Sequence, residues 1–179
     1  EDLTTDEQAE FVDDLSNRLL AADALQPAVC HLDTGVARTH TLLEASLAVQ
    51  DLHTVIGVSG FDRDGHGTKM AGLALLGDAM DNYLVGTETV QLRHRLESVR
   101  MLPAKGEKPH DPLAYGDVTA QAVSLPEIAS ARRRVFCMPV SAHSDSGTNP
   151  GQPTLWSATV DALAVGASVV SDGDELRLL

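Results

Sequence analysis

Short apolar runs alternate along the chain with longer segments in which apolar residues recur at helical spacing. The runs that predict buried strands are residues 28–32, 52–58, 96–102 and 135–140. The segments that predict helices are residues 4–23, 68–76, 117–131 and 156–165. Because short apolar strands separated by helices form parallel sheets covered on both faces, we expect a three-layer α/β fold with right-handed crossovers.

The first predicted helix has a clear start signal. Thr4 followed by Glu7 fits a capping box, in which each side chain satisfies the free backbone amide of the other residue. Apolar residues then recur every fourth position on one face, and Pro27 ends the region. The pattern therefore predicts an N-terminal helical extension over residues 1–27 and a main domain over residues 28–179.

Proline, glycine and small polar residues mark the irregular segments. They predict loops over residues 103–116 and 141–153, and Pro126 predicts a break or kink in the helix at 117–131. The last residues, 175–179, form a strand-like run with no stop signal after it. We therefore expect the parallel sheet to be truncated before its last strands, and the exposed edge to favour self-association.

Charge and cysteine content narrow the classes of partner. The formal charge of −13 would repel nucleic acid and anionic membranes, and no apolar stretch reaches the roughly 18 residues that span a bilayer. The basic cluster at residues 132–134 is expected to flank a strand. Cys30 and Cys137 lie in apolar sequence and are interpreted as free thiols, which slightly favours a cytoplasmic location over secretion.

The first motif whose residue types are suited to catalysis lies at the end of the first predicted strand. Residues 30–35 read Cys-His-Leu-Asp-Thr-Gly, which places Asp33 just beyond an apolar run. Functional groups in parallel sheets gather at the carboxyl ends of strands, and a carboxylate held there by loop amides can orient an imidazole. Alone the motif is weak, because aspartic proteases and ordinary turns use the same residue types.

The second motif covers residues 64–72, Asp-Gly-His-Gly-Thr-Lys-Met-Ala-Gly. It places His66 in the first turn of a helix, flanked by glycines that leave the ring exposed and the backbone free to approach other groups. Ala71 and Gly72 are expected to let this helix pack closely against a neighbouring element. His66 follows Asp33 by 33 residues, which leaves room for a crossover and a neighbouring strand.

Together the two motifs resemble those of the subtilisin-like serine proteases, whose triad runs in the order Asp, His, Ser along the chain. The family motifs are Asp-Ser/Thr-Gly after an apolar strand and His-Gly-Thr-x-x-Ala-Gly. The sequence matches both at residues 33–35 and 66–72, with Lys69-Met70 in place of the usual His-Val. The resemblance implies a subtilisin-like fold, peptide or protein substrates, and catalytic roles for Asp33 and His66.

The resemblance extends to two further segments. Residues 96–102 are similar to the central strand of the family, and residues 135–141 to the strand whose edge pairs with the substrate backbone. It implies that Pro139, Val140 and Ser141 bind substrate, although Pro139 lacks an amide and Ser141 replaces a glycine. No cofactor is implied. Calcium, often bound in the family, is not supported by a convincing loop.

The nucleophile segment of the family, Gly-Thr-Ser-x-Ala-x-Pro, does not occur in these 179 residues. The nearest imitation, residues 146–150, has Asn where the serine is required. The resemblance therefore implies a serine-type endopeptidase to which this chain supplies Asp33 and His66 only. We expect the chain alone to be inactive.

Two other functions are compatible with the same residues. A catalytically dead member of the fold would use the strand-edge groove to bind peptides. A metal-dependent hydrolase would use His66, Asp62, Asp64 and His53 as ligands.

Overall fold

The computed structural model describes residues 3–141 and 152–166. Its helices are α1 (Thr5–Arg18), α2 (His66–Leu76), α3 (Met80–Val85), α4 (Tyr115–Ala129) and α5 (Leu155–Ala164). Its strands are β1 (Leu19–Leu20), β2 (Ala28–Asp33), β3 (Leu52–Thr54), β4 (Val90–Gln91), β5 (Arg95–Arg100) and β6 (Arg134–Cys137). Most of the predicted loop at 141–153 and the predicted strand at 175–179 lie outside the described residues.

The main sheet has the strand order β3-β5-β2-β6, and all its strands are parallel. Strand β2 pairs with β5 along its whole length and with β6 on its other side. One apolar core lies between this sheet and α1 and α2, around Leu15, Leu75 and Leu96. A second lies on the opposite face, where Val123 of α4 and Leu163 of α5 belong to the cluster. The predicted three-layer α/β architecture is therefore confirmed.

The N-terminal extension forms a helix that contacts α3 and contributes Leu15 to the apolar core on one side of this sheet. Its capping box forms as predicted, with Thr4 Oγ1 accepting from the Glu7 amide and the Glu7 carboxylate accepting from the Thr4 amide. The helix ends at Arg18 rather than near residue 23, because the next two residues pair as β1 with β4 in a small parallel sheet. That sheet and α3 were not predicted.

Three other predicted elements differ from those observed. Strand β3 stops at Thr54, where the side-chain hydroxyl accepts the Ile56 amide and turns the chain. Strand β6 stops at Cys137, two residues before Pro139, which has no amide to donate. Helix α4 starts at Tyr115 and runs through Pro126 to Ala129. The proline lies in the last turn, so its missing amide removes one hydrogen bond near the helix end and does not end the helix there.

The basic cluster at residues 132–134 flanks β6 and takes part in a buried ion network. Arg134 Nε and Nη2 lie 2.8 and 3.1 Å from the two carboxylate oxygens of Glu97, which is buried in the middle of β5. Arg132 Nη1 lies 3.0 Å from Glu97 Oε1 and 3.2 Å from Asp51 Oδ2. Because these side chains satisfy one another, the strands can hold charges inside the fold.

Both cysteines are free thiols, as predicted, and only Cys30 is fully buried. Cys30 pairs in register with Phe136, and His31 pairs with Cys137. Since side chains alternate between the faces of a strand, Cys30 and Cys137 lie on opposite faces of the sheet and cannot form a disulfide with each other. Among the described helices, none is long and apolar enough to cross a membrane.

Candidate active site

The two motif residues meet at the carboxyl edge of the sheet. Asp33 is the last residue of β2 and is fully buried, and His66 is the first residue of α2. His66 Nδ1 lies 2.7 Å from Asp33 Oδ2, a short charge-assisted hydrogen bond. The crossover between β2 and α2 thus brings together two side chains that are 33 residues apart in the sequence.

The Asp33 carboxylate has a donor on each oxygen. Its Oδ1 accepts the Thr34 backbone amide at 2.8 Å, and its Oδ2 faces His66 Nδ1. Burial raises the pKa of Asp33, while the Thr34 amide and His66 act in the opposite direction by favouring the charged form. The carboxylate is therefore fixed in orientation and aimed at the imidazole.

The His66 ring is fixed by a hydrogen bond to Asp33 and is still half-exposed to solvent. Its Nδ1 is engaged by Asp33, and 52% of its side chain is exposed to solvent. Because Asp33 fixes the Nδ1–H tautomer, Nε2 is the ring nitrogen with a lone pair able to accept a proton. The arrangement can therefore act as an oriented general base.

Two glycines allow the segments carrying these residues to touch. A Cβ atom on Gly67 would lie 2.1 Å from the Gly35 carbonyl oxygen, and one on Gly35 would lie 2.3 Å from the Gly60 carbonyl oxygen. Gly35 also has a φ of +97°, in the region that favours glycine. Of the two residues predicted to let α2 pack closely, Ala71 is fully buried in the core, but the prediction is wrong for Gly72, where a Cβ atom would meet nothing within 4 Å.

Asp62 holds the histidine segment against the aspartate segment, a role that the sequence analysis missed. Its Oδ1 accepts the Thr34 hydroxyl at 3.0 Å and the amides of Asp64 and Gly65. Its Oδ2 accepts the amide and the hydroxyl of Thr68 at 2.8 and 2.6 Å. Burial raises the pKa of Asp62, but the hydrogen bonds from Thr68 and the two amides outweigh it, so the net pKa is lowered.

Three of the four residues considered as metal ligands are engaged in other ways. Asp62 accepts five hydrogen bonds from protein groups, Asp64 accepts the Lys105 amide at 2.9 Å, and His66 binds Asp33. No three His, Cys, Asp or Glu side chains of the described residues are grouped so that they could hold a metal ion. The geometry gives the metal-hydrolase alternative no support.

The three predicted substrate residues follow β6 as an irregular segment. The Val140 amide donates to the Met138 carbonyl at 2.9 Å, which closes a tight turn after the strand. Val140 and Ser141 line a cavity of about 260 Å³, together with Thr34 beside the dyad. Tyr115 and Trp156, whose rings meet edge to face at 5.5 Å, form another part of its wall. Pro139 is not among the residues that line it.

One further polar residue lies unexpectedly next to the dyad. His31 is fully buried on β2, and its Nε2 lies 3.8 Å from Asp33 Oδ2. The apolar pattern of residues 28–32 predicts a buried strand and gives His31 no separate role. Its position two residues before Asp33 was the available signal, because such residues share a face of the strand.

Comparison with known protein families identifies the family of this chain. The model of the subtilase family matches residues 26–175, which include both Asp33 and His66. Searches of curated proteins and of solved structures gave no match. The family is one of serine peptidases, and its match covers most of the chain. This protein therefore belongs to the subtilase family.

Proposed function

We propose that the protein acts as a serine-type endopeptidase in which Asp33 and His66 are two members of the catalytic triad. The observation that carries the proposal is the 2.7 Å contact between His66 Nδ1 and Asp33 Oδ2, with the acid buried and the imidazole half-exposed. A buried carboxylate that orients a solvent-facing histidine is the arrangement that activates a hydroxyl nucleophile.

The chemistry assigned to these residues is proton transfer. His66 Nε2 takes the proton of the serine hydroxyl as the oxygen attacks the scissile carbonyl, and it later donates that proton to the leaving amine. Asp33 keeps the ring in the Nδ1–H tautomer and stabilises the imidazolium between the two steps. Because the nucleophile motif is absent from these 179 residues, we propose that the serine is supplied from outside them and that the chain alone is inactive.

The substrate is proposed to be an extended peptide or protein segment. Val140 and Ser141 are suited to contact it because they line the cavity that Thr34 connects to the dyad. The other walls are largely apolar, which favours an apolar or aromatic peptide side chain. Pro139 would shape the segment rather than donate a hydrogen bond, since it has no amide. The Val140 turn would have to open before its amide could pair with a substrate strand.

The test is covalent labelling of the natural full-length protein with a fluorophosphonate probe, followed by peptide mass spectrometry. We expect an adduct on one serine outside residues 1–179, and its loss in H66A and D33A. The matched control is H40A, which removes an exposed histidine that takes no part in the dyad.

The results separate the two candidate functions. Labelling that H66A abolishes and H40A preserves supports the peptidase. Absence of any adduct, together with retained peptide binding, would instead assign the fold to a binding module in which Asp33 and His66 are structural.

A further inference from the structure

His31 is a buried residue of the sheet that lies next to the proposed dyad. It lies two residues before Asp33 on β2, so both side chains project from the same face of the strand. The His31 side chain is 0% exposed, and its Nε2 is 3.8 Å from Asp33 Oδ2. The same oxygen lies 2.7 Å from His66 Nδ1. Two imidazoles therefore lie against one carboxylate oxygen.

Neither ring nitrogen of His31 has a hydrogen-bond partner among the described residues. Its register neighbours are Ser98 on β5 and Cys137 on β6, and the Ser98 hydroxyl is also buried without a partner. Buried polar atoms are normally paired, and leaving one unpaired is costly. An apolar residue would fill a sheet core without that cost, so the histidine at this position calls for a functional explanation.

Burial and, to a smaller extent, neighbouring charges determine the protonation state of His31. Burial and the nearby His66 lower the pKa of His31 to about 4, against a smaller opposing effect of Asp62. At neutral pH the ring is therefore neutral, with one N–H donor and one acceptor nitrogen. The ionised Asp33 carboxylate can only accept, so the favourable tautomer has its proton on Nε2, the nitrogen that faces it.

We propose that His31 is a positioning residue of the dyad, which places a neutral Nε2–H against Asp33 Oδ2 and so keeps that carboxylate ionised and directed at His66. This role rests on the proposed function. Nε2 lies 3.8 Å from Asp33 Oδ2, and a shift of about 1 Å would bring the two atoms within hydrogen-bond distance. Asp33 would then hold donors from Thr34, His66 and His31 when the imidazolium forms.

The first test measures the carboxylate directly and needs no activity. The chain is labelled with ¹³C-aspartate, and the Asp33 carboxyl is titrated by NMR in wild type, H31L, H31V and H31Q. We expect the two apolar variants to raise the pKa of Asp33, because they remove the donor, and we expect H31Q to restore it, because its amide nitrogen takes the place of Nε2.

The control and the stability measurement separate positioning from packing. S46A removes a different buried polar group, a hydroxyl on another segment that has no hydrogen-bond partner among the described residues, and should leave the Asp33 titration unchanged. The melting temperature of H31L should equal or exceed that of wild type, because an unpaired polar group is lost. An unchanged pKa of Asp33 in whichever apolar variant folds would overturn the proposal.

The second test follows the rate of fluorophosphonate labelling in the natural protein as a function of pH. H31L should slow labelling about tenfold and shift its pH dependence, and H31Q should recover most of the rate. Labelling of H31L at the wild-type rate would also overturn the proposal. If wild type is not labelled at all, the proposed peptidase function fails, while the Asp33 titration still decides the role of His31.

Discussion

The Thr34 hydroxyl donates to Asp62 Oδ1 at 3.0 Å and accepts the Gly67 amide at 2.9 Å. One side chain therefore joins the residue after Asp33 to the residue after His66. Asp62 completes the connection, because its other hydrogen bonds all come from the segment that starts α2. The short contact between Asp33 and His66 thus depends on the hydrogen bonds of Thr34 and Asp62 as well as on the two residues themselves.

Replacement of Asp62 should separate the dyad and weaken the fold. D62N retains one acceptor oxygen but turns an amide donor towards the Thr68 or Thr34 donors, so we expect a loss of about 3 kcal/mol in the free energy of unfolding. Urea unfolding measures this loss, and fluorophosphonate labelling of the natural protein should slow. D64N, at a carboxylate on the surface that accepts the Lys105 amide, is the control and should cost less than about 1 kcal/mol. Equal effects of the two variants would contradict the role given to Asp62.

Replacing each of two glycines in α2 by alanine should change the stability of the protein in opposite directions. G67A should destabilise the protein by about 2 kcal/mol or more and abolish labelling, because its methyl group would overlap the Gly35 carbonyl. G72A should stabilise it by about 0.5–1 kcal/mol, because the site is open and alanine favours a helix. Thermal unfolding of both variants provides the measurement. A stabilising G67A would show that the two backbones are not held in contact.

Local signals and local motifs account for what the sequence predicted well. The Thr4 capping box needs residues only three apart, and the apolar run of β2 ends at Asp33 as its pattern indicates. The end of α1 was missed because it depends on the pairing of Leu19 with Val90, 71 residues away. The role of Asp62 depends on a side chain 28 residues earlier, Thr34, and no periodic pattern records such a bond.

The same contrast holds within the candidate site, where the sequence predicts the dyad residues but not the residue that lies beside them. Asp33 and His66 were found through motifs whose spacing is informative, and the structure brings them into contact. His31 was not found, because a single polar residue in an apolar run has no distinguishing period. Its position two residues before Asp33 indicates a shared face of the strand, but its enclosure between β5 and β6 is visible only from the register of the sheet.

The ion network of Glu97 should matter for stability and not for the dyad. E97A would leave Arg134 and Arg132 without their shared partner inside the fold, and we expect a loss of about 3–5 kcal/mol in the free energy of unfolding. E44A removes the partner of Arg38 in a partly exposed pair and should cost less than about 1 kcal/mol. Urea denaturation compares the two variants. A small effect of E97A would mean that water or other residues replace the lost carboxylate.

Stability should fall in mildly acidic solution because of His31. The pKa of this residue is about 4 in the folded protein, against an ordinary value of 6.5, so between those values the unfolded chain binds more protons. The free energy of unfolding should therefore decrease as the pH is lowered from 6.5 to 4, by about 3 kcal/mol from this group. His53, whose pKa burial also lowers, contributes in the same direction. Asp33, whose pKa burial raises, opposes it at the acidic end.

Variants isolate the contribution of His31. Urea unfolding of wild type, H31L and H53Q at several pH values from 4 to 7 should show a marked flattening of the pH dependence in H31L and a smaller one in H53Q. The flattening follows because a leucine binds no proton in either state, and because any further rise in the pKa of Asp33 adds a slope of opposite sign. If H31L keeps the full wild-type dependence, the buried His31 imidazole is not the group that titrates, and the acid sensitivity between pH 4 and 6.5 must come from another group that titrates there, such as His53.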